Sequence, residues 1–230
     1  MPVIGVGVGI PFRKVSGESY PSVLDDGNTV GWYDYLLGIT KSSNRVSGWA
    51  DQSGLGEDFA QADGGKQPLL QSTGILFNGS DEVMATVGFT PTLEQPLTVY
   101  MVAKQVSWTQ NDYFYSGLGV SFGLVQYSAA NEILGYAGLV GTDESWALDS
   151  FGVITNIYHG AFSSIQVNDG TIVTSNVGGN DPGGLVLGAS NTQAAGFINC
   201  EIKALIVRKI SDSEANRTEI REYLNSKYGL

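Results

Sequence analysis

The chain contains a single cysteine, Cys200, among its 230 residues. One cysteine cannot form an intrachain disulfide and cannot supply an all-cysteine zinc site, so neither feature stabilises this fold. Because Cys200 lies in the apolar-rich run 197–202, we predict that it is a small hydrophobic residue of the core.

Basic residues are also scarce. Twelve lysines and arginines stand against 23 aspartates and glutamates, which gives a formal net charge of −11 and a pI of about 4.4. A field of this sign repels phosphate backbones and anionic membrane surfaces, so we predict neither a nucleic-acid partner nor a membrane partner. We predict no cofactor, with calcium held by Asp51, Asp58 or Asp63 as the alternative.

Long apolar runs are missing as well. No run of 18 apolar residues occurs, and the first residues lack the basic start and apolar centre of a secretory signal. We therefore expect the chain to be made and folded in a cytoplasm. Any role outside the cell would then follow lysis or incorporation into a particle.

Glycine, in contrast, is abundant at 31 residues, which favours many short strands joined by tight turns. The apolar run 97–103 predicts a central strand covered on both faces. Segments 165–167 and 172–173 flank Asn168-Asp169-Gly170, which predicts a hairpin because these residue types tolerate the positive φ of such turns. The length and pattern fit one all-β domain.

The C-terminal segment changes from strand to helix periodicity. Ser211 to Glu214 reads as a capping box at a helix start, and Ile220, Tyr223, Leu224 and Tyr228 follow at helical spacing. We predict one helix whose apolar stripe packs on the sandwich. Its polar side chains are expected to face water: Arg217, Glu219, Arg221 and Glu222.

The first twelve residues alternate apolar side chains with glycine. Such a flat edge needs another strand to pair with, so the segment is predicted to be either a docking arm for another chain or the first strand of this sandwich. The predicted organisation is an N-terminal docking arm and loop over residues 1–29 and a compact domain over residues 30–230. The side chains assigned to assembly are Val3, Ile4, Val6, Val8, Ile10 and Phe12.

Four segments resemble a known family: Gly48-Trp49-Ala50-Asp51-Gln52-Ser53-Gly54, residues 74–81, residues 185–188 and residues 220–230. They are similar to the concanavalin-A-like, laminin-G-type jelly-roll domains of bacteria and their phages. The resemblance implies an all-β fold, a concanavalin-A-like jelly-roll β-sandwich with one C-terminal α-helix. It covers residues 32–230.

This resemblance also implies a role. In phages such domains occur in virion proteins, so we expect a capsid decoration protein, head fibre or tail adhesin located on the virion. The arm would contact other virion subunits, the chain would form a homo-oligomer, and the loops would meet a host cell-surface glycan. The alternatives are a free carbohydrate-binding lectin module and, third, a polysaccharide lyase or glycoside hydrolase.

Catalysis is predicted to be absent. The Glu-x-Asp-x-x-Glu strand of the glucanases does not occur, and the adjacent pairs Asp81-Glu82 and Asp143-Glu144 would point to opposite faces of a strand. The single histidine, His159, reads as a turn residue. We therefore predict that the chain is not an enzyme.

Aromatic residues interleaved with amides and acids predict a glycan site, because rings stack on sugars while polar groups bind hydroxyls. Trp32 and Trp49 are assigned instead to the core. The predicted glycan-binding residues are Trp108, Asn111, Asp112, Tyr113, Tyr115, Asp143 and Trp146.

Overall fold

The computed structural model describes residues 19–90 and 92–230. Within them the chain forms an all-β sandwich with one C-terminal α-helix. This architecture confirms the predicted all-β class and the predicted helix. The first strands are β1 (Thr29–Asp34), β2 (Ile39–Ser42), β3 (Arg45–Trp49), β4 (Phe59–Ala60), β5 (Leu69–Leu70), β6 (Ile75–Asn78), β7 (Met84–Ala85) and β8 (Leu97–Gln105).

The later strands are β9 (Tyr113–Gly117), β10 (Val120–Gln126), β11 (Glu132–Tyr136), β12 (Glu144–Ser145), β13 (Phe151–Tyr158), β14 (Ser163–Val167), β15 (Val173–Ser175), β16 (Leu185–Leu187) and β17 (Asn199–Arg208). The helix α1 spans Glu214–Tyr228, and two 3-10 turns span Ser22–Asp25 and Gly160–Phe162. All pairings between these strands are antiparallel.

Two layers make up the sandwich. We call the first the helix-bearing sheet: its strands run β1–β17–β8–β13–β14–β15, with β6 paired to the start of β17. We call the second the open sheet: its strands run β4–β7–β16–β9–β10–β11–β12. Strand β3 pairs with both β4 and β5, and β5 pairs with β6, so the layers are joined along one edge.

The main core lies between the two layers. Met101 and Leu205 from the helix-bearing sheet belong to one buried cluster with Phe114, Leu124 and Leu187 from the open sheet. Burying a side chain of this size contributes about 1.5–3 kcal/mol relative to leaving it exposed. Cys200 is also fully buried, as predicted, and carries no disulfide.

Sequence patterns predicted several of these elements correctly. The central strand β8 lies between β13 and β17, and its side chains alternate between the main core and the surface under the helix. The hairpin is also confirmed, since Ile165 pairs with Val173 across a turn in which Asn168 has a φ of 52°. Both Trp32 and Trp49 are buried.

A small polar network lies inside the main core. The hydroxyls of Tyr115 and Tyr158 are 2.8 Å apart, Asn156 donates to Tyr115, and Tyr158 donates to the carbonyl of Gly123. Gly123 has a φ of 151°, and a Cβ there would lie 2.2 Å from the Tyr115 carbonyl oxygen, so only glycine fits. Because each hydroxyl has a partner, burying these polar groups carries no unsatisfied cost.

Helix α1 covers the outer face of the helix-bearing sheet. Ile220 and Leu224 are buried against Trp32, Tyr100 and Ile206, which confirms the predicted apolar stripe. The helix ends at Gly229, whose φ of 65° is the left-handed conformation that glycine adopts easily.

Two details of the helix prediction were wrong. Ser213, not Ser211, caps the helix, and its hydroxyl accepts from the amide of Asn216 at 3.2 Å. Arg221 does not face water: it is 7% exposed and its guanidinium donates to Gln166 at 2.9 Å and to Asp169 at 3.3 Å. The helix contacts strand β14 through this side chain, so the buried face is wider than the apolar stripe alone.

A fully buried arginine ties the helix start to the sheet. Arg208 donates to both oxygens of Asp212 at 2.7 and 3.0 Å and to both oxygens of Asp26 at 3.2 and 2.8 Å. Tyr100 donates to Asp212 at 2.9 Å. Burial opposes the charge on Arg208, but the two carboxylates outweigh it and raise the pKa of the guanidinium. Bidentate pairs of this kind give both strength and geometric specificity.

The described chain starts beside this network. Tyr20 packs edge-on against Trp32 with ring centroids 5.1 Å apart, and Trp32 packs against Tyr223 of the helix at 6.4 Å. Leu24 is fully buried. Residues 20–29 are therefore packed on the sandwich, although we placed them with the arm, and the division into two units stays a prediction. The assembly side chains Val3 to Phe12 lie outside the described residues.

Candidate functional site

The Trp-Ala-Asp-Gln-Ser-Gly segment organises a loop. One oxygen of Asp51 accepts from the amides of Trp32 at 2.9 Å and Ser53 at 2.8 Å, and the other accepts from the Ser53 hydroxyl at 2.5 Å and the Gly56 amide at 3.2 Å. Trp49 is buried and donates from its indole nitrogen to the carbonyl of Asp34 at 2.9 Å. The motif therefore has a structural role.

The same contacts bear on the alternative of a calcium site. Asp58 accepts from the amide of Asp51 at 2.7 Å, and Asp63 accepts from the amide of Gly65 at 2.9 Å. These carboxylates are bonded to loop amides rather than turned toward a common point. Within residues 19–90 and 92–230, no cluster of three or more histidine, cysteine, aspartate or glutamate side chains could hold a metal ion.

A shallow depression lies on the outer face of the open sheet. Three tyrosines line it: Tyr113 of β9, Tyr127 directly after β10 and Tyr136 of β11. We call this depression the tyrosine site. It has a volume of about 80 Å³ and is lined by Asn111, Tyr113, Val125, Tyr127, Leu134, Tyr136 and Val140. Successive side chains of a strand point to opposite faces of the sheet. Accordingly, Ile133 of β11 belongs to the main core, whereas Leu134 and Tyr136 do not.

The tyrosine site is held in place by contacts among its own members. The rings of Tyr113 and Tyr136 are 6.1 Å apart and tilted by 55°. Burial and a hydrogen bond with Tyr136 raise the pKa of Tyr113, so the Tyr113 hydroxyl stays protonated at neutral pH. Asn111 has a φ of 71°, and its amide donates to the carbonyl of Gln126 at 2.8 Å, which presents its exposed side chain at the edge of the depression.

No cation lies near this site in sequence. Between Lys104 and Lys203 the chain has no lysine or arginine, whereas it has eight aspartates and glutamates. One of them, Asp112, lies next to Tyr113. Burial raises the pKa of Asp112 to about 6, although a hydrogen bond from Thr109 acts in the opposite direction. The residues that line the site therefore combine aromatic rings, hydroxyls and an amide, with no charged side chain among them.

The structure places the predicted glycan-binding residues in different surroundings. Asn111 and Tyr113 line the tyrosine site. Asp112 and Trp108 are half-buried and do not line it, and the Trp108 indole donates to the carbonyl of Glu132 at 3.0 Å. Asp143 is half-buried, and one of its carboxylate oxygens is buried without a hydrogen-bond partner.

Two of the predicted residues belong to the core instead. Tyr115 is fully buried with its hydroxyl bonded to Tyr158, and Trp146 is 3% exposed with its ring 5.4 Å from that of Phe114. Neither side chain can reach a surface ligand in this state. The tyrosine site also contains Tyr127 and Tyr136, which the prediction did not name, although the alternation along β11 was a usable signal for Tyr136.

A larger groove lies at one end of the sandwich, and we call it the rim groove. Its volume is about 610 Å³, within the range of about 300–1,000 Å³ typical of ligand pockets. Apolar side chains and threonines form most of it, and three charged residues line it: Glu57, Glu94 and Lys209. Burial raises the pKa of Glu57, a hydrogen bond from the Thr90 amide lowers it, and Asp51 and Asp58 raise it further. The net shift is upward.

Comparisons with known proteins bear on the fold. No family model matches the sequence, and no curated protein matches it either. Among solved structures, the chain resembles Trypanosoma rangeli sialidase with a TM-score of 0.64 and 14% identity, covering 92% of this chain and 34% of the sialidase.

Two further resemblances are similar in strength. The first is to an arabinofuranosidase complexed with arabinofuranosyl-alpha-1,2-xylobiose, with a TM-score of 0.60 and 13% identity over 78% of this chain and 50% of that one. The second is to botulinum neurotoxin type C in a study of its interaction with two ganglioside molecules, with a TM-score of 0.61 and 8% identity over 88% of this chain and 52% of that one. The chain spans about a third to a half of the length of these proteins.

These neighbours contradict the prediction that the chain is not an enzyme, because sialidases and an arabinofuranosidase are among them. The physical weakness of that prediction is visible at the rim groove. It tested only carboxylates close together in sequence, whereas the fold brings Glu57 and Glu94 to one groove from separate loops. The likeness itself, at these identities, shows the fold alone. Within the described residues, no helix is long and apolar enough to cross a membrane.

Proposed function

We propose that this chain is a carbohydrate-binding domain that holds a neutral glycan at the tyrosine site. The observation that carries the proposal is the convergence of Tyr113, Tyr127 and Tyr136 on one solvent-facing depression of the open sheet. The tilted packing of Tyr113 and Tyr136 leaves ring surface available to a ligand.

The chemistry of the depression matches that of a sugar. Aromatic rings pack against the C–H face of a pyranose or furanose, and hydroxyl and amide groups bind its hydroxyls. Tyr127, Tyr136 and the exposed amide of Asn111 supply those groups here. A shallow site suits one or two sugar units at the end of a longer chain better than a fully enclosed ligand.

Local charge narrows the class of glycan. A sialic acid carries a carboxylate, and such groups are usually held by arginine or lysine. The 98-residue span between Lys104 and Lys203 offers neither, and none of the residues that line the site is charged. We therefore favour neutral hexose or pentose glycans over sialylated ones, although sialidases are among the structural neighbours.

The neighbours lend support to a carbohydrate ligand. One of their structures holds an arabinosyl-substituted xylobiose, another holds sialic acid, and a third concerns ganglioside binding. We also propose that the sandwich is a concanavalin-A-like jelly roll, on the strength of the sequence segments that resemble that family and the two antiparallel layers. Its ligand would then bind to an outer sheet face.

Display on a phage particle is the second part of the proposal. It rests on the sequence resemblance alone, with a host glycan as ligand, other virion subunits as partners and self-association of the chain. Peptide mass spectrometry of purified particles would test it. Detection of the chain at a fixed copy number per particle would support the proposal, and its absence from the particles would contradict it.

A glycan array followed by calorimetry with the full chain tests the proposed ligand. We expect binding to neutral glycans, and Tyr127→Ala should weaken it at least tenfold, about 1.4 kcal/mol, because a stacking face is lost. Tyr35→Ala is the matched control, since Tyr35 is a half-buried tyrosine on the first strand's side of the molecule. Equal losses in both variants, or no binding by the wild type, would contradict the proposal.

The same incubations can detect chemistry. Each bound glycan is incubated with the full chain, and the products are analysed for released sugar. Binding without release identifies a binding domain. Release that Glu57→Gln or Glu94→Gln abolishes would place hydrolysis in the rim groove, in addition to glycan binding at the tyrosine site.

A further inference from the structure

Apolar side chains form a large part of the rim groove. Val30, Phe89 and Leu93 line it and belong to the main core cluster. Leu55 lines it as well and is 53% exposed. Contiguous apolar patches on a soluble chain mark interaction sites.

Charge at the groove is unbalanced. Glu57 and Glu94 face a single cation, Lys209, and Asp51 and Asp58 add to the negative field at Glu57. An occupant that complements this surface is apolar along its length and carries positive charge at one end. A purely hydrophilic glycan would leave the apolar side chains of the groove exposed to water.

One segment of this chain has that composition. Residues 3–12 alternate valine and isoleucine with glycine and end at Phe12, and Arg13-Lys14 follow directly. The first acidic residue of the chain is Glu18, so this arm is cationic within a chain of net charge −11. Its glycines allow close approach of its backbone to a surface, and its valines supply side chains for pockets at every second position.

The attachment point favours a second copy as the source of the arm. Tyr20, near the start of the described chain, packs on Trp32 in the cluster under the helix. The described chain therefore begins at the cluster under the helix, whereas Val30 and Leu93 of the groove belong to the cluster between the sheets.

We propose that the rim groove binds residues 3–14 of a second copy of this chain, with the apolar side chains on its floor and Arg13 and Lys14 against Glu57 and Glu94. The contact is head-to-tail: each copy gives an arm and receives one. It is independent of the tyrosine site, so glycan binding by a single copy does not require it.

Charge exchange in the full chain tests the proposal. Glu57→Lys with Glu94→Lys should weaken self-association at least tenfold in sedimentation velocity, and Arg13→Glu with Lys14→Glu should do the same. Combining all four substitutions should restore association within about threefold of the wild type. The control is Glu219→Lys with Glu222→Lys on the exposed face of α1, which should change nothing.

The proposal would be overturned if the wild-type chain stayed monomeric at all concentrations, or if the control variant lost association equally. It would also be overturned if the variant with all four substitutions did not regain association. Matching circular dichroism and melting temperatures of all variants ensure that a loss of association is not a loss of folding.

Cysteine cross-linking identifies the donor of the arm. Val8→Cys with Thr92→Cys introduces one thiol in the arm and one at the exposed rim of the groove, and the native Cys200 is buried. Mild oxidation should give disulfide-linked dimers and longer chains on a non-reducing gel. An intrachain disulfide, or no disulfide, would contradict binding to a second copy. Val8→Cys with Glu222→Cys is the control and should stay unlinked.

Discussion

Both outer faces of the sandwich carry aromatic side chains, but the two faces use them differently. On the helix-bearing sheet, Trp32 and Tyr100 are covered by Ile220 and Leu224 of α1. On the open sheet, Tyr113, Tyr127 and Tyr136 line a depression that nothing in residues 19–90 and 92–230 covers. An aromatic side chain in this chain stabilises the fold where the helix covers it and is available to a ligand where no element does.

Charge separates the same two regions. Lys203 lies with its ammonium 4.0 Å from the ring centre of Phe151 on the helix-bearing sheet, and Lys104 pairs with Glu201 at 2.9 Å beside it. The open sheet, from β9 to β12, has no lysine or arginine at all. The covered face is therefore rich in structural ion pairs, while the uncovered face offers only neutral and acidic groups.

The largest expected effect comes from removing the buried cation under the helix. Arg208→Met leaves Asp212 buried without its bidentate partner, and breaking such a pair costs about 3–5 kcal/mol. We expect the urea midpoint to fall accordingly, whereas Lys66→Met, at an exposed position, should leave it unchanged. Equal midpoints for the two variants would show that the arginine network does not stabilise the covered face.

Truncating the helix contact should have the next largest effect. Leu224→Ala removes a side chain that is 1% exposed, and buried leucine-to-alanine changes cost about 2–5 kcal/mol. Val140→Ala on the uncovered face, where the residue is 56% exposed, should stay within about 0.5 kcal/mol. Thermal unfolding measures both. A large loss at Val140 would mean that the open sheet also has a covering element.

A smaller effect is expected from Asp112, the residue before Tyr113. Because burial raises the pKa of Asp112 to about 6, the folded state binds its proton more tightly than the unfolded state does. Ionised Asp112 therefore lowers stability as the pH rises from the unfolded pKa through about 6. Asp112→Asn should raise the melting temperature at pH 8 by about 2–4 °C, near 1 kcal/mol after allowing for solvent screening. The difference should shrink at pH 4, and a constant difference would refute the cause.

The smallest effect concerns ligand choice. Val140→Lys introduces a cation at the edge of the tyrosine site, where an exposed ion pair contributes about 0.5–1 kcal/mol. Relative affinity for a sialylated glycan over its neutral counterpart should rise about two- to fivefold. Calorimetry at low and high salt measures it, and the gain should decrease in high salt. An unchanged ratio would mean that the ligand binds elsewhere.

Much of the fold followed from local sequence patterns. The run 97–103, the Asn168 turn and the spacing of Ile220 and Leu224 each carry their own signal, and the structure bears out all three. Arg221 was misplaced because a guanidinium can bury its stem while it bonds across to β14. That choice depends on a strand some 55 residues away, which no helical spacing reports.

The candidate site was harder to predict for a similar reason. Tyr113 and Tyr115 are two residues apart on β9, a spacing that normally places both side chains on the same face of a sheet. An irregular register between β9 and β10 instead directs Tyr115 into the core. Tyr127 reaches the site only because β10 and β11 pair antiparallel. Aromatic composition thus located the region, while strand register decided which rings are accessible.

The ring contacts of Trp32 with Tyr20 and Tyr223 have a consequence for presentation. They bring the first described residues and the last helix together on the covered face, so a domain attached directly after the helix would lie on the side of this covered face. The opposite face, with its three tyrosines, would point outward from any such support. The sandwich is thereby suited to attachment through its covered face, which leaves the tyrosine site accessible to a ligand.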